Sequence, residues 1–316
     1  MHKPRVLRPG DRIALVAPAS PFPRESFDRG VAELRRLGYE PVYDDSVFAR
    51  HRYTAGDAAL RAAAFRRAWS DASVAALMAV RGGYGSVQIL PLLDPDEVAR
   101  TPKAFIGYSD NTSLLDWITH RCGIVSFHGP MIDGRLAKGE QGYDRDTFMR
   151  MLARTDVPGT ITHPQMESLR PGEASGIMVG GTLTQLLASL GTPYAFDPPQ
   201  GHVLFVDEVA ERPYRIDRML TQLRLSGLLS RAAAIVFGEM PRCDEPGNGG
   251  PAIKAVLREL LADFPGPILF GLPSGHTDGA CMTLPFGVRA RVVTGPEPAL
   301  VIEQPAVVAN GMERPA

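Results

Sequence analysis

Residues 104–122 read AFIGYSDNTSLLDWITHRC. The run Ala104–Tyr108 is apolar, Ser109 follows at once, and a helical pattern covers Thr112–Cys122. A strand apolar on both faces that turns straight into a helix is the repeating unit of a parallel sheet covered by helices. The same alternation extends outward from it. RIALVAP (12–18) and AALMAV (75–80) are further buried-strand runs, and Ile124–Phe127 is a shorter one. Val42–Tyr43 opens another strand. Between them, Phe27, Val31, Leu34 and Leu37 fall on one face of a helix over Ser26–Gly38, and Asp57 N-caps an alanine-rich helix to Ser70. Ser86–Leu90 reads as helical up to Pro91.

After a helix near Asp144–Arg154 the character changes. Residues 155–176 are rich in Pro, Gly and Thr, which predicts a linker. Beyond it, Gly180–Leu190 reads as a helix, Val203–Asp207 as a strand, Pro213–Leu228 as a helix with proline at its start, and Ala233–Phe237 as a strand. Ile253–Asp263 reads as a helix and Ile268–Phe270 as a strand, and VRARVVTG with PALVIEQ alternates as a surface hairpin does. The expected fold is α/β. Residues 1–154 form an N-terminal parallel-sheet domain, flavodoxin-like or amidotransferase-like, 155–176 the linker, and 177–316 a C-terminal mixed α/β domain.

The 316 residues suffice for two domains, and 44% hydrophobic with 22% charged residues is the balance of a soluble globular protein. A net charge of -1 without a basic run leaves no footprint for nucleic acid. No segment approaches the ~20 apolar residues that cross a bilayer. Pro9, Asp11 and Arg12 interrupt the region that a secretory leader would need, so a cytoplasmic protein is expected. Cys122, Cys243 and Cys281 are odd in number and widely spaced, and read as reduced thiols. The tail Gly311–Ala316 is expected to fray.

Ser109 is the most informative polar residue. A serine on a sharp strand-to-helix turn holds its hydroxyl above the sheet edge, where the next backbone N–H groups point at whatever bonds to it. Gly107 stands two residues before it, as in a G-x-S-x-G elbow, but Asn111 replaces the second glycine. The competing reading is that Ser109 or Asp110 caps the helix. A serine nucleophile needs a base, and the base needs an acid. Of seven histidines, His276 lies in a glycine-flanked loop after PILFG, where it can reach a site at the carboxyl edge of a sheet, or remain a solvated loop residue. His128, just after a strand, is placed to border such a site. Asp207 and Glu208 end a strand with side chains on opposite faces, so only one can orient a histidine. RGGYG (81–85) also follows a strand. It fits a turn, a phosphate loop lacking the usual spacing, or a donor of one N–H to an oxyanion hole with Asp110 N–H as the other. No metal-ligand spacing occurs.

Together, VAPAS (16–20), RGGYG (81–85), GYSD (107–110), FHGPM (127–131), GGTLTQLLASLGTP (180–193), ERPYRIDRMLTQL (211–223), GHTDG (275–279) and TLPFG (283–287) resemble, in order, the LD-carboxypeptidase family. That family comprises the muramoyltetrapeptide carboxypeptidases and their microcin-immunity relatives. The resemblance implies a Ser-Glu-His triad, with the nucleophile at Ser109, the base at His276, and oxyanion donors at Gly83 and Asp110. The family's Glu falls on Asp207, with Glu208 the runner-up. The implied substrate is a murein tetrapeptide losing its terminal D-Ala, with Arg81 a cation for the substrate carboxylate. No cofactor is implied, and a homodimer is. The alternatives are an immunity-type peptidase that cleaves a peptidyl-nucleotide antibiotic, and a non-catalytic binder on the same fold.

Overall fold

A computed structural model describes residues 1–245 and 251–309. The tail 311–316 lies outside the described residues. The chain forms two compact units: Met1–Asp156 with Gly279–Gly287 and the stretch from Pro305, and Val157–Asp278 with Val288–Gln304.

Unit one begins with β1 (Arg12–Val16), α1 (Arg24–Arg36), β2 (Glu40–Val42), α2 (Ala58–Ser70) and β3 (Val74–Ala79). It continues with α3 (Pro95–Ala99), β4 (Ala104–Gly107), α4 (Thr112–His120), β5 (Ser126–His128) and α5 (Arg145–Leu152). Unit two carries β6 (Gly159–Ile161), β7 (Glu167–Arg170), β8 (Gly172–Thr182), α6 (Leu183–Ala188) and β9 (His202–Asp207). There follow α7 (Pro213–Leu225), β10 (Ala232–Gly238), α8 (Ile253–Leu260) and β11 (Ile268–Leu272). The chain then returns to unit one for β12 (Leu284–Phe286) and to unit two for β13 (Arg289–Thr294) and β14 (Ala299–Ile302).

The first sheet has the order β12-β5-β4-β3-β1-β2. Strands β1 to β5 pair in parallel, and β12 closes the edge antiparallel to β5. The order reverses between β1 and β3, which is the switch point where open α/β sheets bind ligands beyond their carboxyl ends. The loops VAPAS, RGGYG and GYSD follow β1, β3 and β4, so all three lie at that edge. All six residues of β3 and all four of β4 are buried, as their unbroken apolar runs require. Phe27, Val31 and Leu34 of α1 are buried on the face that the spacing marked. Asp57 accepts the Leu60 N–H at 2.8 Å and so caps α2.

The second sheet has the order β6-β14-β13-β8-β9-β10-β11-β7, with β8 to β11 parallel and the flanking strands antiparallel. Its core packs α6, α7 and α8 side chains such as Leu186, Ile216, Leu220 and Leu257 on Leu204, Ile235 and Phe237. Each such side chain contributes about 2 kcal/mol on leaving water.

Three sequence expectations change. The 155–176 stretch is not a linker: β6 pairs with β14, β7 with β11, and β8 starts at Gly172. Short edge strands and their turns share the Pro, Gly and Thr bias of a tether. The second domain is not the unbroken 177–316, because Gly279–Gly287 supplies the edge strand of the first sheet, and Val308 N–H bonds to Pro4 O at 3.0 Å. Gly180–Thr182 is strand rather than helix. A Cβ on Gly180 would sit 1.9 Å from Phe205 O of the neighbouring strand, so glycine marks a close backbone approach there.

Candidate active site

At the end of β4 the chain passes through Tyr108, extended at φ -157, into Ser109 at φ 63. A non-glycine residue in the left-handed region costs about 1–3 kcal/mol and persists where its surroundings dictate it. Three observations show what dictates it here. Asn111 N–H bonds to Tyr108 O at 3.2 Å, and Asn111 Nδ2 donates to Arg81 O at 3.2 Å and to Tyr108 O at 3.3 Å. The fully buried Asn111 thus ties the elbow to the RGGYG loop. The departure from G-x-S-x-G therefore has a structural reason: the Asn111 amide makes two hydrogen bonds that a glycine could not.

Gly82 lies directly against the serine. A Cβ on it would be 2.8 Å from Ser109 Cβ, 3.0 Å from Ser109 Oγ and 3.4 Å from Asp110 N. Only glycine permits this approach. The N–H groups of Gly83 and Asp110 have no hydrogen-bond acceptor among the described residues. Ser109 itself is half-buried.

The Asp110 carboxyl is buried and turned away from this chemistry. It accepts the Ser86 N–H at 2.8 Å, and Ser86 Oγ donates to Asp110 O at 2.5 Å. Burial pushes its pKa above the ordinary value, opposed by the Ser86 and Gly85 amides and by the Arg61 charge. Arg81 pairs with Asp133 at 3.2 Å, and Asp133 also accepts the Ser26 hydroxyl at 2.6 Å. Its side chain is 44% exposed, so it meets solvent with its charge already partly matched. His128 is fully buried between Tyr108 and Phe286, at ring distances of 5.9 and 5.5 Å, and serves packing.

Unit two holds the imidazole. Asp207, the last residue of β9, is fully buried, and its Oδ2 lies 2.7 Å from His276 Nδ1. The same carboxylate accepts the His276 N–H, with both oxygens at 3.2 Å. With Nδ1–H directed at the carboxylate, Nε2 carries the lone pair, which is the tautomer a general base needs. Glu239, just past β10, accepts the Thr277 hydroxyl and the Asp278 N–H at 3.1 Å, so the loop is also anchored immediately after the histidine.

Glu208 faces elsewhere. Its Oε1 accepts the Thr184 hydroxyl and the Thr184 N–H at 2.8 Å, and its Oε2 the Val209 N–H at 3.0 Å. It therefore caps the first turn of α6, and burial pushes its pKa up. Of the two adjacent carboxylates, Asp207 is the one at the histidine.

Cys122 and Cys243 are buried, and desolvation raises their pKa values to about 12 and about 11, so they stay thiols. No group of three or more His, Cys, Asp or Glu side chains suited to a metal occurs among the described residues, and no described helix is long and apolar enough to cross a membrane. Sequence reasoning missed Asn111, Glu239, Ser20 and Arg61. Only Asn111 carried a signal, as the residue standing where the elbow motif expects glycine.

Family models described as the LD-carboxypeptidase N-terminal domain and the LD-carboxypeptidase C-terminal domain match residues 13–129 and 175–292. The chain belongs to the LD-carboxypeptidase family. Ser109 falls in the first matched region, and Asp207 and His276 fall in the second. A putative carboxypeptidase of Streptomyces coelicolor is 37% identical, with 98% of each chain covered. The solved muramoyltetrapeptide carboxypeptidase of Oxalobacter formigenes is similar at 30% identity and TM-score 0.81, covering 93% of this chain and 99% of that one. The microcin C7 self-immunity protein MccF, solved in complex with aspartyl sulfamoyl adenosine, shares the fold at TM-score 0.90 and 24% identity, covering 98% and 100%. LD-carboxypeptidase membership makes the chain a peptidase of the carboxypeptidase type.

Proposed function

We propose that this carboxypeptidase is of the serine type and removes the terminal D-Ala from a murein tetrapeptide. The observation that carries the reading is Ser109, held at φ 63 beside the N–H groups of Gly83 and Asp110, which have no acceptor among the described residues. A strained serine beside two amides without acceptors is what acyl transfer requires of a nucleophile and an oxyanion site. In the reaction, His276 Nε2 takes the Ser109 hydroxyl proton as Oγ bonds to the scissile carbonyl carbon. The carbonyl oxygen becomes an oxyanion, and each amide donor stabilises it by about 3 kcal/mol. Asp207 holds the imidazolium. Collapse breaks the C–N bond, and His276 Nε2 gives its proton to the departing D-Ala amine. Water, deprotonated by the same nitrogen, then hydrolyses the ester and frees Ser109. The mechanism requires Nε2 to come within hydrogen-bond reach of Ser109 Oγ. No cofactor enters it.

Arg81 is placed in this reading as a cation for the substrate's terminal carboxylate, shared with Asp133. A cytoplasmic homodimer completes the proposal, checked by light scattering and fractionation.

Digestion of a murein tetrapeptide followed by mass spectrometry tests the reaction, with loss of one D-Ala expected. A fluorophosphonate probe tests the nucleophile, since labelling should vanish in Ser109→Ala. Cleavage of an acyl-sulfamoyl adenylate with the tetrapeptide left intact favours an immunity-type peptidase. Absence of labelling on the unaltered chain favours a non-catalytic binder.

A further inference from the structure

Arg61 is the lone charge in AALRAAAF on α2, and it is only 3% exposed. An arginine buried this deeply must have its donors satisfied, or the charge would be costly. Its Nε–H bonds to Gly56 O at 3.1 Å. Its Nη1 donates to Pro18 O and to Gly85 O at 2.7 Å, and its Nη2 to Gln88 Oε1 at 2.6 Å. The first three acceptors are backbone carbonyls on three separate segments: the loop after β1, the turn before α2, and the end of RGGYG.

Those segments frame the reacting atoms. Ser20, two residues past Pro18, donates its N–H to Gly82 O at 3.1 Å and accepts the Tyr84 N–H on its Oγ at 3.1 Å. Ser86, next to Gly85, is fixed to Asp110 through both its N–H and its hydroxyl. A Cβ on Gly85 would meet Arg61 Nη1 at 2.9 Å, so the loop rests on the guanidinium itself. The RGGYG loop is thereby held at Gly82, Tyr84 and Gly85, while the Gly83 N–H between them is left without an acceptor among the described residues. An apolar residue of similar volume at position 61 would fill the space but leave three carbonyls unpaired. A lysine would keep the charge but lacks the planar fork that reaches all three.

We propose that Arg61 is the positioning residue of the oxyanion site, its guanidinium bracketing the loops after β1 and β3 so that the Gly83 N–H stays aimed at the developing oxyanion. The proposal rests on the serine-peptidase reading above.

Arg61→Lys and Arg61→Ala test it, with kcat and KM measured on the tetrapeptide and folding followed by thermal melting and active-site titration. The expected result for folded Arg61→Lys is a kcat loss of about 100-fold, the usual cost of one oxyanion donor, with KM little changed. Affinity for a peptide boronate, whose tetrahedral adduct mimics the oxyanion, should fall in parallel. Millimolar guanidinium should restore kcat in Arg61→Ala, and methylammonium should not. A folded Arg61→Lys with normal kcat overturns the proposal. So does a loss explained wholly by fewer titratable sites or by KM. If both Arg61 variants fail to fold, Gln88→Leu carries the test through the Nη2 contact, and an unchanged kcat there overturns the proposal. If the unaltered enzyme neither turns over nor labels, the peptidase reading falls and this proposal falls with it. Turnover in the unaltered enzyme with normal Arg61→Lys removes this proposal alone.

Discussion

The region around the proposed nucleophile in unit one and the region around the proposed base in unit two are built by different physics. Ser109 is aimed by backbone: a left-handed residue, a close glycine, and amides without acceptors among the described residues. His276 is aimed by side chains, with the buried carboxylate of Asp207 and the half-buried one of Glu239 gripping ring and loop through hydrogen bonds. The contrast teaches where each half is vulnerable. Geometry stored in φ and ψ is lost when a bulky residue enters or a tether leaves. A tautomer set by a carboxylate is lost when one oxygen becomes an amide.

The largest expected effect is on Ser109→Ala, which should lower D-Ala release by about 10⁶-fold, as removal of a serine nucleophile does elsewhere. A modest loss would break the comparison at its first half. Asp207→Asn should cost about 10⁴-fold in kcat, because the amide no longer enforces Nδ1–H toward the acid. Glu208→Gln, measured alongside, should leave kcat close to normal. Equal losses in the two would mean that side-chain aim at His276 does not reside in Asp207. Asn111→Ala should lower kcat about tenfold, roughly one net hydrogen bond's worth, since two tethers from the elbow disappear. Labelling rates with the fluorophosphonate report that change directly.

The smallest effect concerns stability. Glu208→Ala removes the cap of α6 and should cost about 1 kcal/mol in a denaturant titration with activity retained. Its pH signature is specific. The folded pKa of Glu208 is raised above the ordinary 4.5, so the native state holds this proton more tightly than the unfolded chain does. Its contribution therefore makes stability fall as pH rises from 4.5 toward the raised value, and Glu208→Ala should flatten that slope.

Much of this was legible in sequence, and the gaps have physical causes. The parallel sheet was readable because buried strands carry unbroken apolar runs, and Ser109 because a strand and a helix meet with no residues to spare. The resemblance put the acid at Asp207 ahead of Glu208, but the residues alone could not choose, since two adjacent carboxylates at a strand end are equivalent until one is seen capping α6. The 155–176 stretch misled because edge strands use the residues of a tether. Within the expected helix Gly180–Leu190, only Gly180–Thr182 misled, because a glycine chosen for close approach of β9 looks like the entry to the helix that starts at Leu183. Arg61 was invisible because one arginine among alanines reads as a solvated face, and only the converging carbonyls reveal otherwise.

The return of the chain to unit one through β12 bears on autonomy. A fragment ending at Asp156 would keep β1 to β5 yet leave the β5 edge bare, with Phe127 and its neighbours offering unpaired amides to any other strand. Such a fragment is expected to self-associate, and supplying residues 279–287 as a separate peptide should return it to solution. In this chain the two units interleave along the sequence, and no single cut separates them.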